Sequence, residues 1–484
     1  MDWLPVYEIG YILIVILVCL RIIYDTRSHT KTLAYLLFAI LVPVAGIIFY
    51  FVVGINYRKR KLYGKKLIEN ELLGKKLEED VRRYSKDILK QGEPEVKDYK
   101  ELAVMLLNDN MSPLTGDNDV KLLVNGENKF PDVLQAIAEA KDHIHIEYYI
   151  YDDDKTGGEV ADALIKKAKE GVTIRFIYDD FGSRSIRKKM ARRLREAGIS
   201  VFPFHKIIFI AFANRLNYRN HRKIVVVDGR IAFVGGINVS DRYVNRDKKQ
   251  KLFWRDTHVR IEGPGVRYLQ YLFLCDWNFC AKEGVLPSEQ LFPPPSSLPV
   301  KGNKIVQIAS SGPDSTIPTI LFSILQGINL AEKEVLISTP YFIPSDSIMD
   351  SLMASALGGV KIIIMVPYKS DSVFVNAAAR SYYGDVLDAG VEIYRYKKGF
   401  LHSKTMVIDR KVAIVGSANM DYRSFDLNFE VNAIVYDDNF AEELADVFFN
   451  DLEEAEQINP EEWKNRPIHS QLIEKAAGLG SPLL

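Results

Sequence analysis

The sequence predicts an α/β protein made of two homologous halves about a pseudo-twofold axis, preceded by an N-terminal two-helix hairpin able to cross a membrane. Three observations predict it. One spacing, His-x-Lys, four residues, Asp, six residues, Gly-Gly or Gly-Ser, one residue, Asn, occurs twice. Its copies are "NHRKIVVVDGRIAFVGGIN" (220–238) and "LHSKTMVIDRKVAIVGSAN" (401–419), 181 residues apart. Before each copy, short β-branched runs alternate with helical segments in matching order, the pattern of helices packed on a parallel or mixed sheet. Ahead of both lie two long apolar stretches.

Residues 33–55, "LAYLLFAILVPVAGIIFYFVVGI", carry no charge and would span about 34 Å as one helix, enough to cross a bilayer. Residues 6–24 form a weaker span, with Glu8 and Arg21 near its ends, where they can reach the interface. A cleaved signal peptide fits poorly, because Asp2 precedes this span and no basic residue does. The short connection holds Arg27 and Lys31, whereas "RKRKLYGKK" (58–66) holds six basic residues. The positive-inside rule therefore expects everything after residue 58 in the cytoplasm, with the basic run also able to attract anionic lipid. The hairpin takes residues 1–57, and a charge-rich helical linker runs over 58–115.

The first half is expected over 116–290. "VKLLV" is a strand, 131–140 a helix, "HIHIEYYIY" a strand and 158–170 a helix. "VTIRFIYDD", a basic helix over 186–197 and "ISVFPF" lead into the first motif. After a Pro-rich linker at 291–304, the second half (305–484) repeats the order with "EVLISTPYFIP", a helix over 347–357, "VKIIIMVPYKSD", a helix ending "LDAG", and "VEIYRY". The first half spends 23 residues from Gly198 to His221, and the second only 12 from Gly390 to His402. The extra segment, "KIIFIAFANRLN", reads either as a lengthened core element or as an apolar run dipping into a lipid interface between basic flanks.

Composition narrows the function. Lys+Arg and Asp+Glu both total 63, a balance that argues against a nucleic-acid partner. Three cysteines without CxxC spacing make a disulfide framework or zinc site unexpected. On a strand, residues i and i+2 share a face, so His221 with Lys223, and His402 with Lys404, point the same way. A neutral imidazole beside an ammonium suits phosphate chemistry: lysine neutralises non-bridging oxygens, and histidine attacks or carries protons near neutral pH. The Gly-Gly and Gly-Ser pairs would let backbone approach a phosphate, with Asn238 and Asn419 as further donors. One histidine cannot both attack phosphorus and protonate the departing alkoxide, but two on opposite sides can. Asp228, Asp409 or later carboxylates could orient the rings. A single histidine in an apolar strand is usually a satisfied core residue, as expected for His143 and His145. A duplicated triplet is not explained that way. No metal or other cofactor is implied.

At these residues the chain resembles the phospholipase D superfamily, whose signature is this doubled motif. "SGPD", "STPYFIP", "VPYKSD" and "GFLHSK", behind two apolar spans, narrow the resemblance to bacterial cardiolipin synthases. It implies phosphatidyl transfer between two phosphatidylglycerols through a phosphatidyl-histidine, in a protein integral to the bacterial cell membrane. His221, Lys223 and Asp228 would be one catalytic triplet and His402, Lys404 and Asp409 the other. Asn238 and Asn419 would line the site. Glu430, in "LNFEVN", matches the acidic residue after the second motif, and Asp256, in "WRDTHV", is its candidate counterpart. Its spacing is 18 residues from Asn238, against 11 from Asn419 to Glu430. The signature leaves open which histidine attacks, with His221 preferred, and the oligomeric state. Competing readings are a phospholipase D hydrolase, transfer to another alcohol, a nuclease, and an inactive membrane scaffold; intact triplets in both halves argue against the last.

Overall fold

The computed structural model describes residues 4–26, 29–53, 67–204, 218–245, 252–281, 283–294, 301–315 and 317–481. The basic run 58–66, the insertion at 206–217 and part of the Pro-rich linker lie outside them.

Among the described residues, sixteen strands form one sheet centred on an antiparallel pair, Thr115–Val124 against Lys304–Ser311. Outward from Thr115–Val124 follow Thr257–Glu262, Ile231–Gly235, Ile224–Val227, His143–Tyr148, Thr173–Asp179 and Ser200–Phe204. Outward from Lys304–Ser311 follow Asn428–Tyr436, Val412–Gly416, Thr405–Ile408, Glu334–Ser338, Lys361–Pro367 and Glu392–Tyr396. The two series match strand for strand, so a pseudo-dyad passes between the central strands. The outer strands of each half pair in parallel, as expected where helices connect them.

Each motif folds as a hairpin. Ile224–Val227 and Thr405–Ile408 are buried at every residue, which is why they read as continuous apolar runs. Their turns need left-handed backbone: Asp228 and Gly229 have φ of 52° and 63°, Asp409 and Arg410 of 50° and 54°. One core runs across the dyad, joining Val120, Val226 and Val259 to Val306, Val407 and Val435. Helices Val266–Cys280 and Asp438–Leu452 cover it, while the opposite face of each half has its own core.

The charge-rich linker forms helices Leu67–Gln91 and Lys100–Asn110. It is docked rather than loose. Leu73 and Leu77 are buried, and Asp80 accepts from Arg267 Nε at 2.8 Å.

The N-terminal hairpin departs from expectation. The first stretch forms a helix, α1 (Leu4–Asp25), but residues 33–55 are not one continuous helix. They are divided between α2 (His29–Leu41) and α3 (Pro43–Val53). Pro43 lacks the N–H a continuous helix needs and its ring crowds the preceding turn. The chain folds back there: Tyr35 meets Tyr50 with ring centroids 5.5 Å apart, and Phe38 meets Phe49 at 5.3 Å. Gly46 permits the approach, since a Cβ there would fall on the Phe38 carbonyl oxygen. The buried Asp25 closes the cluster, accepting from Arg21 Nε at 2.6 Å and Tyr50 Oη at 3.3 Å. Among the described residues, no helix is long and apolar enough to cross a membrane.

Candidate active site

The two motifs meet through backbone pairing between the halves. Arg219–Asn220 pairs in parallel with Asn428–Phe429, and Gly399–Leu401 with Phe253–Arg255. The pairing ends in matching hydrogen bonds, His221 N–H to Phe429 O at 3.0 Å and His402 N–H to Arg255 O at 2.7 Å. In each partner strand the next residue is a carboxylate. His221 Nδ1 lies 3.0 Å from Glu430 Oε2, and His402 Nδ1 lies 2.6 Å from Asp256 Oδ2. Each histidine is therefore oriented by the opposite half. The structure brings Asp256 into the place related to Glu430 by the dyad. The seven extra residues before it fall around 245–251, of which 246–251 lie outside the described residues.

Burial governs the electrostatics. It pushes the His221 imidazole down to about 4 and His402 to about 3, so both are neutral at pH 7. Burial also lowers the Lys223 ammonium to about 7 and Lys404 to about 8. For Glu430, burial acts upward, but His221 and then Lys223 hold the carboxyl below its ordinary value. Asp256 is likewise held down against burial, by Lys404 first and then His402. A neutral imidazole whose Nδ1–H donates to a carboxylate keeps its Nε2 lone pair for chemistry. Glu430 is fixed in turn by Ser417 Oγ (2.5 Å) and Asn428 Nδ2 (3.1 Å). Lys223 Nζ donates to the His221 carbonyl at 2.5 Å, and Lys404 Nζ lies 2.8 Å from His402 Nδ1.

Asp228 and Asp409 are not brought to the imidazoles. Asp228 accepts from the backbone N–H groups of Lys141, Asp142 and His143 at 2.8–2.9 Å. Asp409 does the same for Glu332, Lys333 and Glu334 at 2.7–2.9 Å. Each carboxylate clamps its hairpin turn to the strand beside it. The small pairs also have another reason than phosphate approach: a Cβ on Gly236 would strike Asp256 Oδ1, and one on Gly416 would strike Asn432 Oδ1. His145 sits between Gln270 and Arg175, each 3.0 Å away, and the His143 ring lies tilted against it with centroids 4.7 Å apart.

Both histidines, Asn238 and Asn419 open onto a cavity of about 370 Å³. Asn238 donates to Tyr243 Oη at 2.7 Å, while Asn419 Oδ1 is buried without a partner. The walls also contain residues that sequence reasoning did not single out. Tyr149 lies edge-on to His221 at 4.8 Å, and Trp254 and Tyr243 flank His402 at 5.5 and 5.6 Å. Tyr341 Oη donates to Asp371 at 2.9 Å. Tyr149 and Tyr341 fall inside the segments read as strands, "HIHIEYYIY" and "EVLISTPYFIP", Trp254 opens "WRDTHV", and Tyr243 belongs to no motif.

Two carboxylate-oriented imidazoles and two buried lysines, supplied by a duplicated motif on a twofold α/β frame, define a phospholipase D-type phosphoryl-transfer enzyme. Comparison with known proteins agrees. The family profile "Cardiolipin synthase, PLD-like domain" matches residues 133–261 and again 324–452, and "Phospholipase_D-nuclease N-terminal" matches 12–54. The chain belongs to this family of PLD-like cardiolipin synthase domains. It is 39% identical over 478 residues to a cardiolipin synthase of Alkalihalophilus pseudofirmus, covering 99% of this chain and 93% of that protein. It is also 41% identical over 480 residues to the major cardiolipin synthase ClsA of Bacillus subtilis, covering 98% of each. A solved phosphatidylserine synthase from Haemophilus influenzae shares the fold, with a TM-score of 0.58 at 14% identity over 79% of this chain and all of that one.

Proposed function

We propose that this enzyme joins two phosphatidylglycerols into cardiolipin and glycerol. The observation that supports it most is the crosswise pairing of His221 with Glu430 and His402 with Asp256 at one cavity. One imidazole Nε2 attacks phosphorus, forming a phosphatidyl-histidine as the bond to the glycerol oxygen breaks. The other imidazole gives that oxygen a proton. In the second step it takes a proton from the acceptor lipid's hydroxyl, whose oxygen displaces the histidine. A bound phosphodiester anion raises the proton affinity of an imidazole, so substrate itself arms the acid. Lys223, Lys404, Asn238 and Asn419 offset charge on the non-bridging oxygens. Asp228 and Asp409 serve the reaction by holding the motif turns.

The N-terminal helices anchor this unit to the bacterial membrane, and the basic run 58–66 keeps it on the cytoplasmic side among anionic lipids. Purified protein given phosphatidylglycerol alone should form cardiolipin and glycerol in equal amounts, and added glycerol should drive the reaction backward. Phosphatidic acid as the main product would instead identify a hydrolase.

A further inference from the structure

On the second half, the lip of the cavity is apolar on its outer side. Ser372 and Val375 line the cavity, and the two residues between them turn outward at the start of helix Val373–Asp388. Val373 is 89% exposed and Phe374 half exposed. Helix Ile468–Gly478 packs along Val373–Asp388, tied to it where Arg380 Nε donates to Glu474 at 2.6 Å. It ends at the lip: Gly480 lies against the Phe374 ring, where a Cβ would come within 3.0 Å of Cζ.

That second helix is amphipathic in reverse. Its inner face carries Ala477 and its one carboxylate, Glu474, both buried, with Glu474 held by Arg380 and Arg466 at 2.6 and 2.9 Å. Ile468, Leu472 and Ala476, with Leu479 just past the helix end, recur at i, i+4, i+8 and i+11, the spacing of one helical face. All four are exposed. Among the described residues beyond the N-terminal helices, six large apolar side chains are at least 62% exposed: Leu357, Val373, Ile468, Leu472, Ile473 and Leu479. All but Leu357 belong to this helix and the lip it meets.

Charge and position select what covers this face. The exposed side of the helix carries His469 and Lys475 but no carboxylate, and at the lip Asp371 is turned into the cavity, where Tyr341 donates to it. An apolar stripe with basic neighbours and no acid suits an anionic lipid surface. A protein seated on the lip would obstruct the cavity, whereas a lipid substrate must cross that lip to bring its phosphate to His221 and His402. We propose that helix Ile468–Gly478 lies in the membrane interface with Val373, Phe374 and Leu479 among the acyl chains, so that lipid enters the cavity from the bilayer over this lip. The proposal rests on the lipid-transfer reading above and adds to it the surface through which the lipid arrives.

The test uses the full-length enzyme in vesicles of equal parts phosphatidylglycerol and phosphatidylethanolamine. With Cys19, Cys275 and Cys280 replaced by serine, a nitroxide is attached through Leu472→Cys or Leu479→Cys. Both labels should be reached by oxygen and shielded from a water-soluble nickel complex, and labels open to the nickel complex would overturn the proposal. Spin–spin broadening that grows with protein density would also overturn it, assigning the face to a second copy of this chain. Leu472→Ser combined with Leu479→Ser should lower cardiolipin formation in vesicles by about tenfold. The same variant should keep its rate in detergent micelles, where substrate reaches the cavity without a bilayer. An equal fall in both media would count against the proposal and give the leucines a structural role. A wild type that forms no cardiolipin in either medium would instead defeat the lipid-transfer reading, while the labels still decide whether the helix meets lipid.

Discussion

Four acidic residues of the two motifs divide into two kinds, and their surroundings predict opposite phenotypes. Glu430→Gln and Asp256→Asn leave the fold in place but remove the charge that fixes the Nδ1–H tautomer. Phosphatidyl transfer should fall by about 10²-fold or more, the usual scale of lost acid–base function, with little change in melting temperature. Asp228→Ala should do the reverse. It strands three backbone N–H groups, lowering stability by about 2–4 kcal/mol in urea denaturation while folded enzyme retains activity. The lysines set a pH limit. Both pKa values are depressed, so the ammonium forms exist below about 7 for Lys223 and about 8 for Lys404 and are lost as pH rises. Accordingly kcat/KM should decline through pH 7–8, and a flat profile to pH 9 would contradict the burial described. At this scale the meeting of His221 and His402 at one cavity was legible, because the motif recurs at fixed spacing. The duty of Asp228 and Asp409 was not, since a carboxylate that clamps a turn and one that orients an imidazole look alike in a string of letters.

Strands and helices were legible for a different reason: apolar runs bounded by turn residues recur in both halves. What remained hidden was pairing between elements far apart in the chain. Nothing local in "RN" or "NF" says that Arg219–Asn220 will lie along Asn428–Phe429. Pro43 was visible, but hydropathy averaged over 33–55 hid the fold-back it starts. One contact fastens the motif to its neighbours: Arg222 NH1 meets Asp276 at 2.5 Å while Nε donates to the Glu430 carbonyl at 3.3 Å. The charged side chains of Arg222 and Asp276 are both buried. Arg222→Met should thus cost about 3–5 kcal/mol by leaving Asp276 unpaired, and Arg222→Met with Asp276→Leu should recover much of it. A double variant as unstable as the single one would show the pair is not the cause.

Across the whole molecule, the dyad makes one site from two repeats of a single chain. Mixing His221→Ala protein with His402→Ala protein should therefore restore no activity, because each chain lacks one of its two imidazoles. Recovery toward a quarter of wild type would mean that halves exchange between chains. The crosswise pairing of histidine with carboxylate also has a consequence in time. His221 and Glu430 are 209 residues apart, and ribosomes add about 5–20 residues per second. For roughly 10–40 s after the first histidine is made, its orienting carboxylate does not yet exist. The first half is therefore born without its complete site, which exists only when nearly the whole chain has been translated.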